Sequence, residues 1–574
     1  MKHSKLLTLA MLLPFVSSLS SCGEIAPSPE NQRKFRDEEE KITMTQVIKD
    51  GEKQGYPAPS VGKTKVFVVP VEFTDYPADE IGALYNSDVK DKKALKHFQA
   101  DGVTPEGTGR GAENAREDIR KVYFGESSET TWHSLKSYYH SSSYGKLDFE
   151  GLVAPWTPAF TNSMTMAPVS AKEFKDNGGS AATLAQNLLQ FYSDDTMKKY
   201  KIFKNDDGSD MFKNGTEFLK YFDSNSDGCF DVLEMVYSAP YYATYVDSQG
   251  NDVAIDNEMF WAYCGGTGTE GDVRKPRLSK WAFQSYYTCV EGGTYNDNGT
   301  WRSWTCTEIS NGIAKGDAHT IVHETGHALG LDDYYDYDYK RSPLKGVDMM
   351  DHNVGDHNAY SKSLLGWTNP TVVTNPTTVT INSFTDTGDC IMVPYRGYFE
   401  TDNKNKNTFH TEYISIELYT PTGVNVADSE RQYAGAYPLC PSEFGIKVYH
   451  VDSRLGLFDY SGNNNGKFVN YSDSLVSTSQ SVYVMKANSN TGTRTISHKE
   501  GSATKYDWLI EYMPRSGSGT VSSIANNNLF KAGDTFGYED DYKGFKFNSG
   551  KSFGYKFTID ALTATSATIT FYQA

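Results

Sequence analysis

The stretch TIVHETGHALGLDDYYDYD, residues 320–338, places two histidines four residues apart, His323 and His327, with Glu324 directly after the first. On an α-helix, positions i and i+4 share one face, so both imidazoles can reach the same ion. Glu324 lies beside them, where a carboxylate can accept a proton from metal-bound water. The stretch therefore predicts a helix with a catalytic metal site, and this ligand chemistry favours zinc.

A catalytic zinc site needs a third protein ligand and a position left open for water. Gly330 allows the chain to take a left-handed turn and leave the helix, so that a residue three positions later can return to the ion. This spacing selects Asp333, with Asp332 as the alternative. The competing interpretation is a helix that carries two histidines by coincidence. The glycine, the acid at the right distance and the downstream methionines Met349 and Met350 argue against it.

The extended pattern HExxHxxGxxD, followed by GVDMMDHN at residues 346–353, resembles the metzincin peptidases. More narrowly, it resembles the immune inhibitor A family of secreted bacterial metallopeptidases, which has Asp where most metzincins have a third His. Other segments resemble that family in the same order: VFVVPVEFTDYP, YYHSSSYGKLDFEG, DSNSDGCFDVLEMVYSA, DHNAYSKSLLGW and FGIKVYHVD. The resemblance implies an α+β metzincin-like zinc peptidase domain. In it, the zinc ligands are His323, His327 and Asp333, and Glu324 is the general base.

The same resemblance suggests roles for residues around this motif. Met350, with Met349 as the alternative, is expected to form the Met-turn beneath the metal, although ordinary core packing would also explain both methionines. Tyr360 is a candidate for stabilising the oxyanion, against the interpretation of a packed tyrosine on its helix. His319, one turn before the first metal ligand, is a candidate for supporting a ligand, against a capping or surface role.

A second ion site is predicted in DSNSDGCFDVLE, residues 223–234, which matches the twelve-residue calcium loop. Gly228 would make the sharp turn, and the candidate oxygen ligands are Asp223, Asn225, Asp227, Asp231 and Glu234. The following VLEMVY has the composition of a strand, so we expect a calcium loop attached to a sheet and not an EF-hand. Glu234 is the ligand that a strand could direct elsewhere. A solvated acidic turn is the alternative.

The pattern of predicted secondary structure changes near residue 370. Strand-like and helix-like segments interleave before it, and short strands separated by Asn, Gly, Ser and Thr follow it. This pattern predicts a catalytic domain at residues 63–372 and an all-β, sandwich-like C-terminal region at residues 373–574. Residues 22–62 are polar and charged, which is typical of a tether or short leader.

The N-terminus MKHSKLLTLAMLLPFVSSLSSC has the layout of a secretory signal, with an apolar run too short to span a bilayer. The tetrapeptide LSSC resembles a bacterial lipobox, which predicts a lipoprotein signal peptide at residues 1–21 and a lipidated Cys22. An ordinary cleavage site with a chance cysteine is the alternative. The formal net charge of −18 argues against nucleic acid or an anionic lipid surface as the main partner.

Together these features predict an exported zinc-dependent endopeptidase, with calcium as a second ion, acting on extracellular proteins or glycoproteins. It would be a cell-surface or outer-membrane lipoprotein of a bacterium, or secreted, and would contact a membrane only through a lipid at Cys22. The alternative from another class is a cell-surface binding lipoprotein that keeps a peptidase fold without turnover. Zinc-dependent hydrolysis of a non-peptide bond is a third interpretation.

Overall fold

A computed structural model describes residues 32–34 and 57–574, apart from 84–108, 164, 241–242, 250–251, 256–259, 268–270, 291–292, 296–300, 305, 336–342, 396–411, 431–438, 453–454, 460–466, 473–481, 487–495, 501–502, 518–522 and 549. The predicted signal peptide and Cys22 lie outside the described residues, so lipidation stays a prediction. In the described part of the chain, no helix is both long and apolar enough to cross a membrane.

A mostly parallel sheet organises the first half of the chain. Its strands are β1 (Gly62–Glu72), β2 (Leu147–Val153), β3 (Val232–Tyr237), β4 (Tyr263–Gly266) and β5 (Lys280–Ser285). Their order is β2-β1-β3-β5-β4, and the short strand Thr157–Pro158 pairs with the end of β1. β4 is antiparallel to β5 and forms one edge. The run VFVVPV in β1 is buried throughout, as expected for a parallel strand covered on both faces.

Helices cover both faces of this sheet. On one face lie α1 (Ala112–Phe124), α2 (Leu135–Ser142) and α5 (His319–Ala328); on the other lie α3 (Ala181–Ser193) and α4 (Gly215–Tyr221). Because side chains alternate along a strand, Val66 and Val68 of β1 enter the first core, and Phe67 and Val69 enter the second. The helix with the predicted metal ligands is therefore packed against the sheet.

Two facing sheets form the C-terminal region. Their strands are β6 (Thr371–Val373), β7 (Thr377–Asn382), β8 (Cys390–Pro394), β9 (Glu412–Tyr419), β10 (Gly445–Asp452), β11 (Ile510–Tyr512), β12 (Thr535–Phe536), β13 (Tyr555–Leu562) and β14 (Ser566–Gln573). The first sheet has the order Gln32–Lys34, β6-β8-β9-β10-β11, and the second β7-β14-β13-β12. Apolar residues of both sheets, such as Ile414 and Ile569, share one core, which is a sandwich-like arrangement.

The first C-terminal sheet also packs against the N-terminal half of the molecule. On its other face, Tyr413 and Tyr449 belong to the same core as Ile321 and Val322 of α5. The predicted domain boundary between residues 372 and 373 falls inside β6. The strand Gln32–Lys34, from the segment predicted to be a tether, pairs antiparallel with β6. The residue pattern of the sequence indicates the change in strand content, but it does not reveal this pairing between distant segments.

The predicted fold class is confirmed as a mixed α and β region followed by a β-rich one. The C-terminal region is not purely β, because it contains the helices Phe384–Thr387 and α8 (Val426–Glu430). Two short helices follow the metal helix, α6 (Met349–His352) and α7 (Ala359–Leu364). The other short helices and strands are Ala171–Asp176, Cys229–Phe230, Thr244–Val246, Asp252–Ala254, Arg277–Leu278, Gly293–Tyr295, Trp301–Ser303, Cys306–Ser310, Leu455–Asp459, Lys467–Ser472, Val482–Lys486, Ile496–Glu500 and Ala503–Asp507.

Candidate metal centre

The helix α5 ends where the sequence predicts. Gly330 has a φ of +99°, in the region that glycine adopts without steric cost. The N–H of Leu331 donates to the carbonyl of Gly326 (3.0 Å), and the N–H of Gly330 donates to the carbonyl of His327 (3.0 Å). These two bonds are those of a Schellman motif, which satisfies the last carbonyls of the helix. The turn directs the following residues back along the helix.

The three predicted ligands converge at this turn. The Oδ1 atom of Asp333 lies 3.0 Å from Nε2 of His323 and 3.1 Å from Nε2 of His327. One ligand atom from each residue lies within 4.8 Å of the other two. In the part of the chain that the structure describes, no other set of three His, Cys, Asp or Glu side chains converges in this way. Asp332, the alternative ligand, is not in the cluster.

The opposite ring nitrogens fix the orientation of both histidines. Nδ1 of His323 lies 2.7 Å from the carbonyl oxygen of Met349, and Nδ1 of His327 lies 2.9 Å from that of Leu331. A carbonyl only accepts hydrogen bonds, so each Nδ1 carries the proton. Nε2 of each ring therefore faces the cluster and is the atom that would bind a metal ion.

The charges in the cluster suit a divalent cation. Burial by itself would raise the pKa of Asp333, but the imidazoles of His327 and His323 hold it well below its usual value. Asp333 is therefore an anion although it is only 5% exposed. Burial would lower the pKa of His327, but Asp333 raises it to about 10, so a metal ion would displace a proton from this ring. Two imidazoles, which bind a metal in their neutral form, and one carboxylate form a ligand set that fits zinc.

Glu324 is buried beside the ligands, with 7% of its surface exposed. Its carboxylate accepts a hydrogen bond from the backbone N–H of Cys264 in the edge strand β4. Burial raises the pKa of Glu324, and the nearby His323 and His327 oppose that rise. A carboxylate with a raised pKa next to a ligand cluster is suited to accept and return a proton.

Met350 lies beneath the ligand helix, as the Met-turn prediction expects. A Cβ atom built on Gly326 would meet the Met350 sulfur at 2.5 Å, so the thioether packs directly on the helix backbone. Met349 contributes its carbonyl to His323. Both side chains are fully buried, and neither contact requires a role with substrate. Gly326 carries no prediction from the sequence, although it is the glycine between the two histidines of the motif.

Tyr360 and His319 are both buried side chains. Tyr360 is 3% exposed and packs against Tyr334 in the core, which favours the packed alternative over an oxyanion role. His319 is 0% exposed, so a surface role is wrong. The side chain of His319 lies between two carboxylates, with Nδ1 2.5 Å from Asp317 and Nε2 3.1 Å from Asp428 of α8. No sequence signal linked Asp428 to this helix.

Four of the predicted calcium ligands line one loop. Asp223 accepts hydrogen bonds from the N–H groups of Asp227 (3.0 Å) and Gly228 (3.1 Å), and Asn225 accepts one from Asp227 (3.2 Å). Asp231 accepts one from the N–H of Ser224 (3.2 Å). Gly228 makes the predicted turn with a φ of +85°. Calcium binding at this loop stays a prediction.

Glu234 is not part of that loop, and its assignment as a calcium ligand is wrong. Along β3, Val232 and Val236 enter the core that contains α5, and Glu234 shares their face because side chains alternate. Its carboxylate lies 3.1 Å from the hydroxyl of Tyr123 and 3.3 Å from that of Thr325. The strand therefore directs Glu234 to the back of the ligand helix.

Comparison of the chain with known protein families finds no match, and no curated protein matches it.

Proposed function

We propose that this protein is a zinc-dependent endopeptidase. The observation that carries the proposal is the convergence of His323, His327 and Asp333 on one point, with Glu324 buried beside them. Two imidazoles whose Nδ1 atoms face carbonyls, together with one ionised carboxylate, form a three-ligand set of the kind found in catalytic zinc sites. The motif, the turn at Gly330 and the buried methionine beneath the helix support a metzincin-type enzyme similar to the immune inhibitor A family.

Each residue of the site has a defined task in this proposal. A zinc ion held by the three ligands would polarise the scissile carbonyl and lower the pKa of a bound water. Glu324 accepts the proton of the attacking water and passes it to the leaving amine nitrogen. The hydrogen bond from Cys264 holds the Glu324 carboxylate in position. The chain thus supplies a fixed general base next to its ligand set.

A peptide substrate is supported by the position of β4. This strand is the last one at its edge of the described sheet, and Cys264 in it contacts the base. An extended chain can add to such an edge through backbone hydrogen bonds. Export, proposed from the N-terminal sequence, makes extracellular proteins or glycoproteins the substrate class.

Replacement of Glu324 tests the proposal. Glu324→Ala removes the base but leaves all three ligands, so we expect unchanged zinc content and a fall in casein cleavage of about a hundredfold or more. Glu113→Ala, at a carboxylate that is 80% exposed on α1, is the matched control and should cleave at the parental rate. Equal cleavage by the Glu324 variant and the parent at matched zinc content would refute the assignment. A parent that binds zinc but cleaves no peptide would support the non-catalytic binding lipoprotein instead.

Removing both proposed ions with a chelator and adding each one back distinguishes the role of zinc from the role of calcium. Zinc added to chelator-treated protein is expected to restore cleavage, because the activity depends on the three-ligand set. Calcium added to the same protein is expected to raise Tm through the loop at residues 223–231. Asp223→Ala should abolish that increase in Tm and leave the zinc content unchanged. An increase that persists in this variant would refute the calcium loop.

We also propose that the chain is exported and lipidated at Cys22, as a cell-surface or outer-membrane protein. Radiolabelled fatty acid should be incorporated into the parent and not into Cys22→Ala when each is expressed in a bacterial host. Labelling of both proteins, or of neither, would remove the lipid anchor from the proposal.

A further inference from the structure

Glu234 is a buried acid without a cationic partner. It lies on β3, is 0% exposed, and faces the ligand helix α5. Its two oxygens contact only hydroxyls: Oε2 lies 3.1 Å from Tyr123 and Oε1 lies 3.3 Å from Thr325. Among the described residues, no Lys, Arg or His pairs with it. An ionised carboxylate at such a position would carry a large desolvation cost.

The hydrogen-bond donors around Glu234 are too few for an ionised carboxylate. Thr325 has one hydroxyl proton, and the carbonyl of Ile321 lies 2.7 Å from its oxygen. That proton is therefore used within the helix, and the contact between Thr325 and Glu234 becomes a hydrogen bond only if Glu234 supplies the proton. On the other side, Gln284 donates its amide to the Tyr123 hydroxyl (2.5 Å), and Tyr123 donates to Glu234.

The assignment of the amide atoms of Gln284 does not change this result. If its oxygen and nitrogen are exchanged, Tyr123 donates to the Gln284 oxygen. The contact of Tyr123 with Glu234 then needs the carboxyl proton instead. With the amide as placed, the chain of hydrogen bonds from Gln284 to the backbone of α5 is complete only with a protonated Glu234. With the amide exchanged, a protonated Glu234 can donate to one of the two hydroxyls, whereas an ionised Glu234 would have no hydrogen bond from either.

We propose that Glu234 is a neutral carboxylic acid that positions the ligand helix, and with it the general base, against the central sheet. This inference rests on the proposed function, because the helix matters as the carrier of His323, Glu324 and His327. Glu234 touches neither substrate nor ligand and is a positioning residue. Its effect passes through Thr325, which lies between the base and the second histidine ligand in sequence.

The surroundings of Glu234 agree with a neutral group. Burial raises its pKa to about 8, and the charge of Glu324 adds to the rise, while the contacts with the Tyr123 and Thr325 hydroxyls oppose it. The other titratable groups close enough to interact with Glu234 are Tyr139, Cys264 and Cys289. All three are neutral at pH 7 because burial raises the pKa of each. A second negative charge behind Glu324 would also alter the base itself.

Two variants of full-length protein test the proposal. Glu234→Gln is the neutral isostere, since its amide can donate to Thr325 and its oxygen can accept from Tyr123. Glu234→Leu keeps the volume and removes both bonds. The measurements are the zinc Kd by competition with a chelator, kcat and KM on casein-derived peptide, and the infrared difference spectrum of parent minus variant. The infrared spectrum reports the protonation state without any activity.

We expect Glu234→Gln to keep zinc Kd and kcat within about threefold of the parent. Glu234→Leu should weaken zinc binding and lower kcat by about tenfold each, with KM nearly unchanged, as for other groups that orient metal ligands. At neutral pH, the difference spectrum against Glu234→Gln should contain the carbonyl band of a protonated acid. If that band is present and zinc Kd responds as stated, but no protein cleaves peptide, the proposed function fails and the inference stands.

Three results would overturn the inference. The first is an ionised carboxylate band in place of the protonated one. The second is a Gln variant that loses zinc affinity as far as the Leu variant or does not fold, since the neutral isostere should fit. The third is a Leu variant with parental zinc Kd, which would mean that the hydrogen-bond chain does not position the helix.

Discussion

At the scale of single residues, two buried glutamates, Glu324 of α5 and Glu234 of β3, have different environments. Glu324 faces two histidines, which oppose the rise in its pKa that burial causes. Glu234 has no cationic side chain beside it in the part of the chain that the structure describes, and burial raises its pKa to about 8. Neighbouring carboxyls whose pKa values are set apart by their surroundings commonly take different roles. Here one is suited to exchange a proton and the other to keep it.

The raised pKa of Glu234 predicts a pH dependence of stability. The folded protein holds this proton up to about pH 8, whereas the unfolded chain releases it near its ordinary value of 4.5. The unfolded state therefore binds fewer protons between these values, and stability falls as pH rises from about 5 to about 8. Glu234→Gln has no proton to lose. Its Tm should fall less over this interval than the parental Tm, as measured by differential scanning calorimetry. Parallel curves for the two proteins would contradict the prediction.

At the scale of elements, the end of α5 controls the third ligand. Gly330 holds a positive φ, and the two hydrogen bonds of the Schellman motif depend on it. Asp333 reaches the histidines only because the chain reverses there. The N-cap residue Ala318 offers no side-chain cap, and the carboxylate of Asp317 accepts a hydrogen bond from the first N–H of the helix instead, at His319 (2.9 Å). The helix also packs on the sheet and on Met350 beneath Gly326.

Gly330→Ala should therefore weaken the metal site as well as the fold. A β-carbon in the left-handed region costs about 1–2 kcal/mol, and relief of that strain would move Asp333 away from the ligands. We expect a lower free energy of unfolding in urea and at least a tenfold weaker zinc Kd. Gly330→Asn should be milder, because Asn tolerates this conformation better.

Gly178→Ala is the matched control for this prediction. Gly178 has a φ of +71° and open space where a β-carbon would lie. An alanine at this position therefore has a similar backbone cost, and the position is far from the proposed ligands in the sequence. It should lower stability and leave zinc Kd unchanged. If zinc Kd is parental in Gly330→Ala, the turn does not position Asp333.

The features of the site that could be predicted are those whose residues lie close together in the sequence. The ligands, the base and the turning glycine lie in one short stretch, where helix periodicity and backbone conformation determine the geometry. Glu234 is 91 residues from Thr325. The loop pattern assigned it to the calcium site, and although the strand-like VLEMVY allowed another direction, no local pattern indicated the contact with Thr325. Asp428 is 109 residues from His319, and no local pattern connects them. The sequence indicated the strands after residue 370, but it did not indicate the core that these strands share with α5.

At the scale of the whole molecule, the C-terminal region packs against the elements that carry the proposed metal ligands. The first C-terminal sheet packs between the second sheet and the core that contains α5. Glu417 of β9 accepts a hydrogen bond from the N–H of Ala359 at the start of α7 (3.0 Å). Asp428 accepts one from the N–H of Gly355, shortly after α6 (2.7 Å). A detachable binding module would not make these buried contacts.

The carboxylate of Asp428 contacts two segments near the proposed ligands. Besides Gly355, it contacts His319 in the first turn of α5, and Trp132 stacks on that imidazole at 3.8 Å between ring centroids. Burial would lower the pKa of His319, but Asp317 and Asp428 raise it to about 10. The buried imidazolium is thus compensated by a carboxylate on each side, one from each half of the molecule.

Asp428→Ala should therefore destabilise the metal centre from the C-terminal side. It leaves His319 with one carboxylate and the N–H of Gly355 without its acceptor, and breaking a buried charged pair costs about 3–5 kcal/mol. We expect this loss in urea unfolding, together with weaker zinc binding. Glu430→Ala, at an exposed carboxylate on the same short helix, should change stability by no more than about 0.5 kcal/mol. Equal effects of the two variants would mean that the C-terminal region covers the N-terminal half without supporting it. A larger effect of Asp428→Ala on both stability and zinc Kd would make the two halves one functional unit.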